Sequence, residues 1–119
     1  MQFNVSGGFH FPIMEPAAEG LRAKLDSIDF NDPIFPVASN SAAELMTSGA
    51  AAREFLVRQL TSAVRWSTLI GAMVGAGVDR FLELGPGSVM CDLNRRSAKG
   101  LPCSAVSEPD DLASLGSRP

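Results

Sequence analysis

The stretch Val78-Asp79-Arg80-Phe81-Leu82-Glu83-Leu84-Gly85-Pro86-Gly87-Ser88 is a strand that runs straight into a glycine turn and a helix start. Val78 to Leu84 is the strand, and Gly85-Pro86-Gly87 is the turn. Ser88 stands where a helix is capped. The helix is expected to run to about Arg96, with Val89, Met90 and Leu93 buried. Lys99-Gly100 ends it, and Pro102 to Val106 reads as the next strand. Strands separated by helices imply an α/β class: a parallel sheet with helices packed on it.

The pattern extends upstream. Met14, Ala18, Leu21, Leu25 and Ile28 form one apolar stripe on a helix expected over Met14 to Ile28. Pro16 suits its first turn, where a missing N–H costs nothing. Asn31-Asp32-Pro33 is a turn. Ile34 to Ser39 reads as a short strand ending at Asn40, with Pro36 marking a sheet edge or a strand beginning. Ser41 to Gly49 is polar and small, and is expected to be a loop with a fragment of helix. A second helix is expected over Ala50 to Leu60 with Phe55, Leu56 and Leu60 inward, broken by Thr61-Ser62. A third spans about Val64 to Gly75, with Trp66, Leu69, Ile70, Met73 and Val74 on one face and Gly75 and Gly77 stopping it. Pro109 begins a short acidic helix. With a leading strand at Phe3 to Val5, the order is β-α-β-α-α-β-α-β-α. A chain that opens inside a strand is what a piece of a larger α/β protein looks like.

Bulk properties exclude several classes. The 119 residues fit one small domain or part of a larger one, and 45% apolar content supports a packed core. A net charge of −3 carries no nucleic-acid footprint. Glycines and charges break every apolar run, so no membrane span is visible, and no basic segment precedes an apolar one as in a secretory signal. Cys91 and Cys103 lack metal-ligand spacing. They are expected to be reduced packing residues in a cytoplasmic protein.

The chemistry points to Val5-Ser6-Gly7-Gly8-Phe9-His10-Phe11-Pro12, which holds the only histidine. An imidazole on a loop at a strand end can act as a general base near neutral pH. Its plainer role is a structural histidine lining an apolar loop. A base needs a nucleophile, and no Ser here lies in a Gly-x-Ser-x-Gly elbow. Ser6 and Ser39 lack that setting. Gly85-Pro86-Gly87 at a strand–helix junction could aim N–H groups at an anion, or serve only as a tight packing turn. Arg58 and Gln59 end the second helix, Trp66 reads as a core anchor, and Arg95 and Arg96 read as a solvated helix end.

Four ordered blocks carry a resemblance. They are Val5-Ser6-Gly7-Gly8-Phe9-His10 with Met14-Glu15-Pro16-Ala17-Ala18; Phe30-Asn31-Asp32-Pro33 with Pro36-Val37-Ala38-Ser39-Asn40; Leu56 to Ser62 with Val64-Arg65-Trp66; and Gly77-Val78-Asp79 with Phe81 to Gly87. The chain resembles the C-terminal part of malonyl-CoA:acyl-carrier-protein transacylases and the related acyltransferase domains of polyketide and fatty-acid synthases. The resemblance implies residues 1–119 as the C-terminal portion of an α/β-hydrolase-like acyltransferase domain. It implies His10 as the base of a Ser-His dyad whose serine lies upstream, and Gln59 as the residue whose backbone carbonyl orients the imidazole.

Phe9 resembles the malonyl-selecting form of the motif, where a bulky ring crowds an α-methyl group. Phe11 departs from the Ser that the family often has there. Malonyl-CoA is implied as substrate, with no cofactor. The implied partners are acyl carrier protein and the missing N-terminal part of the domain, which holds the elbow serine, the oxyanion donors and the carboxylate-binding arginine. Without that part the chain is expected to be inactive. Two alternatives stand beside this: a non-catalytic truncated fragment serving as a folding or interaction module, and an anion-binding module built on Gly85-Pro86-Gly87.

Overall fold

The structure, a computed structural model, describes residues 8–115. The expected leading strand at Phe3 to Val5, with Ser6 and Gly7, lies outside the described residues. The chain divides into two compact units, the first ending at Leu69 and the second beginning at Ile70.

The first unit is built on two helices, α1 (Glu15–Leu25) and α2 (Gly49–Arg58). A 3₁₀ turn over Pro12–Met14 leads into α1. The middle of the expected stripe is the buried face: Ala18 and Leu25 pack with Val57 of α2, and Leu21, Phe30 and Leu60 close over them. The helix stops three residues short of Ile28. The Ser27 hydroxyl donates to the Lys24 carbonyl at 2.7 Å, and the Ser27 and Ile28 N–H groups bond three residues back, which tightens the last turn.

The two helices meet along an antiparallel line of contacts. Arg22 of α1 grips Glu54 through its two terminal guanidinium nitrogens, at 3.0 and 3.3 Å, and holds that carboxyl below its usual range. Arg53 donates to the Ile28 carbonyl at 2.9 Å and lies 5.2 Å over the Phe30 ring. At the far end the Asp32 carboxylate accepts from the Gly49 N–H at 2.8 Å and caps α2, beside the Ser48 hydroxyl that accepts from Ala51 at 3.3 Å. A Cβ on Gly49 would lie 2.5 Å from the Phe30 carbonyl oxygen, so only glycine fits there.

The expected inward set of α2 holds at Leu60, which packs on the core, and is corrected at Phe55 and Leu56. Arg53, Glu54, Val57 and Leu60 lie toward α1 and the segment after it. Ala52, Phe55, Leu56 and Gln59 line a pocket on another side, against the hairpin described next. Residues i, i+4 and i+7 share one helical face, so Val57 rather than Leu56 enters the core.

β1 (Val37–Ser39) starts directly after Pro36, as a strand beginning requires. Its partner is β2 (Glu44–Met46), antiparallel, with Val37 opposite Met46. A strand at 44–46 replaces the expected loop. Ala43, at φ 58°, turns the chain sharply enough to fold it back, and its N–H donates to the Ser39 carbonyl at 2.8 Å.

α3 (Trp66–Gly75) begins in the first unit and ends in the second, with Leu69 and Ile70 buried. Its C-terminus is a Schellman motif: Gly77 takes φ 96° and the Val78 N–H reaches back to the Met73 carbonyl at 3.1 Å.

In the second unit β3 (Phe81–Leu84) pairs with β4 (Cys103–Val106) in parallel register, Phe81 opposite Cys103 and Leu84 opposite Val106. The helix between them, α4 (Val89–Ser97), completes the expected strand–helix–strand unit. Two expectations are corrected here. Ser88 occupies the cap position but makes no side-chain bond. The cap is Glu83 of β3, whose carboxylate accepts from the Met90 and Cys91 N–H groups at 3.0 and 2.8 Å. Val89, Met90 and Leu93 are exposed, while Cys91, Asn94 and Ala98, spaced three and four apart, take the buried positions.

Cys91 and Cys103 are bonded as a disulfide across a Cα separation of 5.4 Å, so they are not the expected free thiols. The register puts Cys103 at the start of β4 under the first turn of α4, a proximity that a separation of 12 residues does not announce. The chain then closes with a 3₁₀ turn at Pro109–Asp111 and the short α5 (Leu112–Leu115). Asp111 accepts from the Ser107 and Glu108 N–H groups, which hold its carboxyl below the usual range.

Two substitutions test this account in chemical denaturation. Gly49→Ala forces a methyl group against backbone and is expected to cost about 1–3 kcal/mol. Glu83→Ala strips the α4 cap and is expected to cost about 0.5–2 kcal/mol, with Ser88→Ala close to neutral by comparison.

Candidate active site

His10 sits two residues before the 3₁₀ turn that opens α1. Its backbone is in the left-handed region at φ 63°, which few non-glycine residues adopt and which histidine tolerates better than most. The conformation costs on the order of 1–2 kcal/mol. What it secures is the direction of the ring: the imidazole Nδ1 lies 2.7 Å from the Gln59 backbone carbonyl oxygen, 49 residues away in sequence.

That carbonyl is free because of where α2 stops. The last carbonyls of a helix have no partner further along it. After Arg58 the chain tightens into a 3₁₀ turn, Gln59–Thr61, and leaves the helical conformation at Ser62. The Gln59 oxygen keeps a long, 3.5 Å bond from the Ser62 N–H and has a lone pair left for His10. The antiparallel packing of α1 on α2 then decides which carbonyl the histidine meets. The start of α1 lies at the end of α2, as Asp32 lies at its beginning.

A carbonyl oxygen only accepts, so Nδ1 must carry the proton in this bond, and in the neutral imidazole Nε2 is then left bare. An imidazole in that tautomer, half-buried and held at one nitrogen, presents a proton acceptor in a fixed direction. Gln59 also lines a pocket of about 160 Å³ bounded by Val37 to Asn40, Met46 and the Ala52, Phe55 and Leu56 side of α2.

The structure brings His10 and Gln59 together. Phe9 adjoins His10 with its ring largely in solvent, 63% exposed, as is the ring of Phe11. Ser39 is buried and hydrogen-bonded to the Ser41 hydroxyl at 3.2 Å, and Ser6 lies outside the described residues. The Arg65 N–H donates to the Asn40 carbonyl at 3.1 Å, which ties the start of α3 to the β1 turn. Arg95 pairs with Asp92 on the surface at 2.8 Å.

The loop Gly85-Pro86-Gly87 is not an open anion cradle. The Gly87 N–H donates to the Ser107 hydroxyl at 3.2 Å, and the Met90 and Cys91 N–H groups in the first turn of α4 are taken by Glu83. Among the described residues, no group of three His, Cys, Asp or Glu side chains is placed to hold a metal ion. Nor is any helix among them long and apolar enough to cross a membrane.

Sequence reasoning missed the residues that index the site: Arg22 with Glu54, Arg53 with Ile28, and Asp32 with Gly49. The one signal available was Asn31-Asp32-Pro33, whose Asp reads as a turn residue but caps a helix 17 positions on.

The bare Nε2 has a direct check, because the chain's one histidine gives one imidazole spectrum. A long-range ¹H–¹⁵N correlation spectrum at alkaline pH is expected to show Nδ1 protonated and Nε2 unprotonated. The opposite assignment would break the His10–Gln59 bond as described.

No protein-family model matches the chain. Curated relatives do. The malonyl CoA-acyl carrier protein transacylase of Bacillus subtilis is 42% identical over 108 residues, which are 91% of this chain and 34% of that protein. The Escherichia coli K12 transacylase is 39% identical over 109 residues, 92% of this chain and 35% of its own length. Among solved structures, the malonyl-CoA:ACP transacylase of Synechocystis matches with a TM-score of 0.88 at 32% identity, over 95% of this chain and 39% of that one. A malonyl-transacylase solved in complex with a type II PKS acyl-carrier protein matches with a TM-score of 0.86 at 37% identity, over 94% of this chain and 36% of that one. The chain spans about a third of the length of the curated relatives it matches. In sequence and in fold it is a homologue of the malonyl-CoA:acyl-carrier-protein transacylases, corresponding to one segment of such a protein.

Proposed function

We propose that this chain is the C-terminal, histidine-bearing segment of a malonyltransferase, which moves a malonyl group from malonyl-CoA to the phosphopantetheine thiol of acyl carrier protein. The observation that carries the reading is the 2.7 Å bond from His10 Nδ1 to the Gln59 carbonyl, which leaves Nε2 as a directed base. The nucleophilic serine comes from polypeptide corresponding to the rest of the relatives' length.

In the first half-reaction His10 Nε2 takes the serine hydroxyl proton as the oxygen attacks the malonyl thioester carbonyl. The tetrahedral intermediate collapses, the C–S bond breaks, and the imidazolium returns the proton to the departing CoA sulfur. In the second, Nε2 takes the proton of the phosphopantetheine thiol and the sulfur attacks the malonyl-serine ester. The proton then goes back to the serine oxygen. Gln59 acts throughout as a positioning residue: a neutral carbonyl fixes the tautomer and ring direction, the part that a carboxylate plays in a Ser-His-Asp triad. Phe9 borders the site as a specificity residue that disfavours an α-methyl group. One methyl is worth about 1–3 kcal/mol in such a pocket, so the ring biases selection toward malonyl.

The test is complementation. The chain is mixed with the N-terminal two-thirds of a relative such as the Bacillus subtilis transacylase, and malonyl transfer to holo acyl carrier protein is followed. The chain alone is expected to give no turnover, and the mixture to give transfer. His10→Ala in the mixture is expected to lower the rate by about 10²–10⁴ while co-elution of the two pieces persists. Turnover by the chain alone, or an active His10→Ala mixture, would overturn the assignment.

A further inference from the structure

The helix α4 fully buries none of its large hydrophobic side chains. Its larger hydrophobic side chains are only partly covered: Val89 is 61% exposed, Met90 42% and Leu93 39%. The buried positions are Cys91, Asn94 and Ala98. Asn94 contributes little, because its Oδ1 is buried without a hydrogen-bond partner among the described residues, and such a group costs free energy. Ala98 offers one methyl group. Two anchors remain: the Glu83 carboxylate on the first turn, and the Cys91–Cys103 disulfide.

We propose that Cys91 and Cys103 are a reversible redox site whose oxidation state sets whether α4 stays docked on β3 and β4. The co-reactant is a small-molecule disulfide of the glutathione class, and the two cysteines differ in access in the way such an exchange requires. Cys103 is half-buried, whereas Cys91 is 3% exposed. The Cys103 thiolate therefore attacks the external disulfide first. It forms a mixed disulfide and releases one small thiol. The Cys91 thiolate then attacks the Cys103 sulfur, the internal bond forms, and the second small thiol leaves. The two cysteine protons end on the two released thiols, and the two electrons go to the small disulfide. A reducing thiol reverses the sequence through the same Cys103 sulfur.

The bond closes a short loop that contains all of α4 beyond its first turn together with the connection to β4. Reduction removes that constraint and leaves a helix with one cap and a thin buried face. This inference does not depend on the transferase reading, since it concerns the second unit alone.

The test uses the whole chain, equilibrated in oxidised or in reduced glutathione. Thiol counting in denaturant is expected to give no free thiols in the first case and two in the second. Hydrogen exchange read by NMR is expected to be about tenfold faster or more at the α4 amides of the reduced chain, and the melting temperature is expected to fall. Cys103→Ser is expected to show the reduced chain's α4 exchange in both buffers, and Cys91→Ala, which can form only the mixed disulfide at Cys103, is expected to lack the oxidised chain's slow α4 exchange. Persistence of two free thiols in oxidised glutathione would overturn the proposal. So would equal α4 exchange rates in the two oxidation states.

Discussion

An imidazole on a loop can stay at hydrogen-bond distance from a distant carbonyl only if both backbones are indexed to one another, and here the indexing is the antiparallel packing of α1 on α2. Its core is small: Ala18 and Leu25 against Val57, with Leu21, Phe30 and Leu60 around them. An alanine at the contact leaves no bulk between the helices. Register comes from the polar contacts along the edge. Arg22 with Glu54, Arg53 with Ile28 and Asp32 with Gly49 each fix one point of the pairing. A single surface ion pair adds little stability, but one ion pair and two side-chain-to-backbone bonds in one register select one alignment over its neighbours. A slip by one turn would carry His10 about 5 Å along α2, beyond reach of the Gln59 carbonyl.

Under the proposed reading, the same packing lets a backbone atom stand where a triad has a carboxylate. A carbonyl cannot rotate away on its own side chain, so its direction is set by the helix that carries it. It also survives substitution of the residue that bears it. The same rigidity has a cost. The oxygen must lie at a place where the helix has stopped using it, and α2 meets that condition by tightening into a 3₁₀ turn at Gln59 before the chain extends at Ser62.

Helices were the readily legible part of the chain, because their signal is periodic and local. The stripe Ala18, Leu21, Leu25 and the stop at Gly77 emerge in the structure much as the spacing implies. The His10–Gln59 relation is of another kind. No spacing rule joins residues 49 apart, and that pairing was legible only through the resemblance to the transacylases. Long-range caps were invisible for the same reason. Ser88 has the local look of a cap, yet Glu83 reaches the α4 amides first, because the β3 pleat points it at the helix. The outward turn of Val89, Met90 and Leu93 follows from a tether that no periodicity encodes, since Cys103 fixes which side of α4 faces the sheet.

The caps also decide what these helix ends can do. A helix N-terminus is a ready site for an anion, with free N–H groups and a partial positive charge. In this chain two such ends are filled from within, α2 by Asp32 and α4 by Glu83. Gly87, which lies next to the second of them, gives its N–H to Ser107. An outside carboxylate or phosphate would have to displace a tethered carboxylate whose local concentration a free ligand cannot match. The glycine turn that looks most like a binding loop is therefore committed to holding β3, α4 and β4 together. The imidazole at the other end of the chain is held at Nδ1 alone among the described residues, and it is the group to which the proposal gives the proton transfer.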